Sequence, residues 1–98
     1  MAEGIIPANG PKPNGLKAYK RTPVFTEQTV PKGLLNDHNT KAGVWGQINV
    51  ISGALTYVIA STGQSYVLKP GTIGTVIPEE RHHVTPNGPV EFFVEFWR

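Results

Sequence analysis

Glycine and proline interrupt this chain every few residues, and no other feature constrains its fold as strongly. Eleven glycines and nine prolines fall within 98 residues, against a combined average of roughly 12% in ordinary proteins. Proline removes a backbone donor, and glycine is at home in turns, so long helices are excluded and many short segments are required. Between the breaks, apolar and polar residues alternate with the period of a half-buried strand. No segment sustains the 3.6-residue period of a helix.

The strand-like runs follow in order from Val44. Val44–Ile51 sets Val44, Ile48 and Val50 on one face, with Trp45, Gln47 and Asn49 on the other. Ser52–Gly53 reads as a tight turn, Ala54–Ala60 as the next strand and Ser61–Gln64 as a second hairpin turn. Ser65–Leu68, Thr72–Ile77 and Arg81–Thr85 follow, and Pro86–Pro89 reads as a further turn. The last run alternates most cleanly, with Val90, Phe92, Val94 and Phe96 on one face and Glu91, Phe93, Glu95 and Trp97 on the other. Such spacing predicts a single all-β domain, a sandwich or an antiparallel barrel. Residues 19–98 are expected to form it. Residues 1–18, rich in Pro, Gly and Asn, read as a flexible arm.

Charge and composition remove several function classes. Residues 1–24 carry Lys12, Lys17, Lys20 and Arg21 against Glu3, whereas residues 25–98 hold five basic and six acidic side chains. The net charge of +2 therefore comes from the arm. A nucleic-acid binder needs a basic folded face, so this pattern argues against one. With no cysteine there is neither a disulfide nor a thiolate site. No apolar run is long enough to span a membrane, and Met1–Gly10 lacks the pattern of a secretory signal. A cytoplasmic protein is expected. The small disulfide-free core makes a homodimer through a sheet face or edge an expected partner. There is no G-x-S-x-G elbow, P-loop or dinucleotide fingerprint.

Chemistry must then come from His38, His82 and His83, all at strand mouths, and from nearby carboxylates: Asp37, Glu79, Glu80 and Glu95. Imidazole with carboxylate is a donor set for Zn, Fe, Mn or Ni. Successive strand residues point to opposite faces, so at most one of His82 and His83 enters a common site. Solvated loop histidines and a surface Glu95 are the plainer reading of the same residues. Trp45, Phe93 and Trp97 read first as core or interface, with ligand contact as a second option.

The run Asp37–Gly46, read as HNTKAGVWG from His38, resembles the signature of a small cupin family, that of the TehB N-terminal domain and the YeaR-like proteins. Val50–Tyr57, Val76–Val84 and Gly88–Arg98 are similar to three further stretches of that family, in the same order. The resemblance covers residues 19–98 and implies a cupin-type jelly-roll barrel. General cupins hold a divalent metal through three His and one Glu. Here Gly46 stands where the first motif places its Glu, and Ile77 and Glu79 stand where the second has Pro and Gly. The resemblance thus implies a reduced metal site of His38 and His82, completed by Glu79, Glu95 or water, with Trp45 and Phe93 as pocket walls. Family members are linked to tellurite and to nitrosative or oxidative stress. The methyltransferase chemistry of the tellurite-resistance protein is expected to lie in a separate domain. The expected function is a cupin module that binds a metal or small molecule as a stress-response binder or sensor. The alternatives are a small divalent-metal-dependent enzyme and a metal-free dimerising module.

Overall fold

The computed structural model describes residues 6–98. Its frame is a pair of long antiparallel strands, which we number with the others in chain order. These are β1 (Ile6–Pro7), β2 (Ala18–Arg21), β3 (Phe25–Thr26), the single helical turn α1 (Lys32–Leu35), β4 (Trp45–Ile59), β5 (Gln64–Leu68), β6 (Thr72–Val76) and β7 (His82–Trp97). β4 and β7 run 15 and 16 residues and pair from Trp45↔Trp97 at one end to Ile59↔His82 at the other.

Two turns expected from the sequence are absent as turns. Ser52–Gly53 and Pro86–Pro89 lie across from one another inside this ribbon, where the register shifts between Val50 and Ser52 and again between Gly53 and Leu55. They form one bend shared by two strands. The same residues that favour a turn also favour a bulge: glycine supplies unusual dihedrals, and proline tolerates a broken ladder. Gly53 has φ 78°, and a Cβ there would lie 2.1 Å from the Pro89 carbonyl oxygen, so no other residue fits without moving the backbone. The bulge also exchanges the faces of β4. Gly46, Ile48 and Val50 are buried before it, and Leu55, Tyr57 and Ile59 after it.

One edge of β4 carries β6 against Gly46–Ile48 and β5 against Leu55–Ile59. The outer edge of β7 carries β2 and β3. The bend lets both halves share one core, built around Ile48, Leu55, Tyr57, Leu68, Val76 and Phe92. Gly74 of β6 marks how closely they approach, because a Cβ there would sit 2.9 Å from Leu68 Cδ1 and 3.0 Å from Tyr57 Cδ2.

The protein is mostly β, but the seven strands form an open path, β1-β6-β4-β7-β2, with β3 and β5 beside it. The expected jelly-roll barrel is therefore not closed. Closure depends on which edges pair, and strand periodicity carries no information about edges. Described residues of the expected arm bond to the sheet. Ile6 and Ala8 donate to the Gly71 and Ile73 carbonyls, at 2.8 Å each, making β1 a parallel cover on the β6 edge. Asn9 continues it with its side chain, donating to the Thr75 carbonyl and accepting from the Thr75 amide, both at 2.8 Å. Lys12 lies 3.9 Å over the Trp97 ring, and the backbones of Lys17 and Arg98 bond each other. Covering an edge strand this way removes a template for unwanted pairing. No helix among the described residues is long and apolar enough to cross a membrane.

Candidate functional site

The start of β7 and the loop after α1 meet through two histidines. The His38 amide donates to the His82 carbonyl and the His82 amide to the His38 carbonyl, each at 2.9 Å. This isolated bridge brings the two rings to 4.2 Å between centroids, tilted by 57°. Each ring is held in the same way. Nδ1 of His38 lies 3.0 Å from the Asn36 carbonyl, and Nδ1 of His82 lies 2.9 Å from the Glu80 carbonyl. A carbonyl can only accept, so the network assigns a proton to Nδ1 of each ring, and in the neutral tautomer Nε2 is then the acceptor.

His82 is 3% exposed, and the edge of its ring meets Tyr57 at 5.6 Å. Burial, aided by the neighbouring His38, lowers its pKa from 6.5 to about 4 against the opposing pull of the Glu80 carbonyl. The ring is therefore neutral at pH 7. Tyr57, on the other side, donates its hydroxyl to the Thr75 carbonyl at 2.9 Å, and burial pushes its pKa up.

Both histidines line a cavity of about 150 Å³. Its wall is apolar, made by Ile48, Val76, Val84, Phe92, Val94 and Phe96, with Leu34 of α1 closing one side. Thr22, Asn39 and Thr40 are the remaining polar lining. The two threonine hydroxyls are already committed, Thr22 to the Pro23 carbonyl at 2.9 Å and Thr40 to the Val44 carbonyl at 2.7 Å.

Of the residues singled out in the sequence, only His38 and His82 come together here. Glu95 sits on the outer face in an ion pair with Arg21 at 2.8 Å. Glu79 is exposed in the turn before β7 with φ 65°, and its amide donates to the Thr40 carbonyl. Phe93 also faces outward, 4.5 Å beneath the Arg21 guanidinium, and Trp45 pairs across the ribbon with Trp97. Neither Trp45 nor Phe93 lines the cavity. The reason is the two-residue strand period: Phe92, Val94 and Phe96 take the inner face, so Phe93 and Glu95 must take the outer one. His83 likewise turns away and meets Asp37 at 2.8 Å. The alternation of β7 set Phe92, Val94 and Phe96 apart from Phe93 and Glu95 but did not tell which set faces the cavity. Thr22 and Leu34, in short irregular segments, gave no signal.

No group of three or more His, Cys, Asp or Glu among the described residues could hold a metal ion. With both proposed carboxylates elsewhere, the expected Zn, Fe, Mn or Ni site is not assembled.

Known proteins place the chain. The family described as the TehB-like domain matches residues 20–94. The probable S-adenosyl-L-methionine-dependent methyltransferase TehB of Haemophilus influenzae is 35% identical over 79 residues, which cover 81% of this chain and 23% of that protein. The crystal structure of TehB from H. influenzae superposes with a TM-score of 0.77 at 30% identity, over 86% of this chain and 32% of that one. A crystal structure of a protein from Escherichia coli K12 shares the fold, with a TM-score of 0.83 at 22% identity over 90% of this chain and 95% of that one. The chain thus spans about a quarter of the length of the curated relative it matches.

These likenesses overturn the reading of a metal-binding cupin module and its metalloenzyme alternative, and they do not support the cupin and jelly-roll framing. The cofactor named in the relatives is S-adenosylmethionine, not a divalent metal. The cavity does not fit that cofactor either. Its ribose diol and ammonium group call for acceptor carboxylates, and no Asp or Glu lines the cavity. A space of about 150 Å³ is that of a single small ring, far below an adenosyl group carrying an amino acid. On the match of residues 20–94, this chain belongs to the TehB-like domain family.

Proposed function

We propose that the chain is an accessory β module of a methyltransferase system, working beside a methyl-transferring domain and not binding S-adenosylmethionine itself. The observation that carries this reading is the confinement of the match. The likeness to a probable S-adenosylmethionine-dependent methyltransferase occupies 23% of that protein, while the cavity of this chain has no group suited to the cofactor. The open sheet leaves a module of this kind room to dock, since β2 is exposed throughout and β5 is exposed at Gln64, Ser65 and Val67.

Two measurements test it together. Titration of S-adenosylmethionine into the chain should give no saturable heat. A chimera in which this chain replaces the matching segment of H. influenzae TehB should release S-adenosylhomocysteine at a rate near that of the parent, whereas deletion of the segment should lower that rate. Saturable cofactor binding to the chain alone, or a chimera no better than the deletion, overturns the reading.

A further inference from the structure

We infer that the cavity beneath His38 and His82 is a binding site for a neutral single-ring molecule carrying one hydroxyl, with phenol as its simplest form. Three observations converge. The first is size: a cavity of about 150 Å³ matches the one known to admit benzene when its walls are apolar. The second is the wall, where Ile48, Val76, Phe92 and Val94 offer only hydrocarbon surface. An ion would be desolvated there with no partner of opposite charge, because no Lys, Arg, Asp or Glu lines the space.

The third is the polar end. His82 is 3% exposed, and its Nδ1 is occupied by the Glu80 carbonyl. His38 repeats the arrangement with the Asn36 carbonyl. Each ring therefore has Nε2 left to accept. The hydroxyls of Thr22 and Thr40 are spent on backbone carbonyls, and Asn39 is exposed at the rim. The buried end of the cavity thus has acceptors and no free donor. It favours a ligand that brings an O–H and disfavours a ketone, an ether or a carboxylate. The cavity takes such a ligand whether or not the chain docks on a methyltransferase.

Phenol and toluene are isosteres that differ in the donor, and they give the test on the unaltered chain. In an amide NMR titration, phenol should bind saturably and shift His38, His82, Phe92 and Val94, while toluene binds about fivefold more weakly, the worth of one buried hydrogen bond. The double variant His38→Leu/His82→Leu, which removes both acceptors, should bring phenol down to the level of toluene, and the comparison of the two ligands on the unaltered chain decides the matter if that variant does not fold. Equal affinity for phenol and toluene, or shifts that do not saturate, overturns the inference. Either result leaves the cofactor titration and the chimera free to decide the accessory role separately.

Discussion

Acidification should remove about 3 kcal/mol of stability through His82 alone. The ring is 3% exposed, and its pKa falls from 6.5 to about 4 on folding. A tenfold change in proton affinity corresponds to about 1.4 kcal/mol, so the fall from 6.5 to about 4 gives about 3 kcal/mol. The sign follows from proton counts. Between pH 6.5 and 4 the unfolded chain binds a proton at this ring and the folded chain does not, so acid favours unfolding. The contribution is complete above pH 6.5, declines as the pH falls and is gone by about pH 4. Urea unfolding followed by tryptophan fluorescence at steps across this window measures it, with His82→Leu in parallel. His38, His83, Asp37, Glu80 and Tyr57 remain in both proteins, so the difference between the two isolates residue 82. Loss of the bond to the Glu80 carbonyl adds an offset that does not vary with pH. A difference that stays flat from pH 6.5 to 4 would refute the burial argument.

Two further substitutions probe the frame that positions the site. Gly53→Ala should destabilise the fold by about 2–4 kcal/mol in urea unfolding, from a left-handed backbone and a Cβ 2.1 Å from the Pro89 oxygen; a loss within the usual surface range would mean that the bend is soft. Asn9→Ala should cost about 1–3 kcal/mol and speed hydrogen exchange at Thr75, whose amide it leaves unpaired; unchanged exchange would show that the segment before β2 does not hold the β6 edge.

The legible and illegible parts of this molecule divide along physical lines. The alternation from Val90 to Phe96 did not tell which face of β7 is inner, and the expected site residues Phe93 and Glu95 lie on the outer one. It did separate the two faces, because a strand buried on one side must repeat every two residues. The turn at Ser61–Gln64 was equally readable, since the chain does reverse there between β4 and β5. The turns at Ser52–Gly53 and Pro86–Pro89 misled because a bulge and a turn use the same residues. Only the pairing of the two segments tells them apart. The two residues of β1 are too few to show a period, so their docking on β6 left no trace in the sequence. His38 and His82 were singled out as residue types and by resemblance. Their reciprocal bridge joins positions 44 residues apart, and it is visible only in three dimensions. The carboxylates failed as partners for a simpler reason: Glu95 shares the outward parity of Phe93, and an inward wall of Phe92 and Val94 excludes both.

The central claim is that an apolar cavity of this fold is lined by two imidazoles, each with its Nδ1 held by a backbone carbonyl. Long-range proton–nitrogen NMR at pH 7 reads the protonation of all four ring nitrogens directly. Nδ1–H is expected on both His38 and His82, as the carbonyls of Asn36 and Glu80 require, with Nε2 of the buried His82 bare. A bare Nδ1 on either ring, or a charged His82, would contradict it.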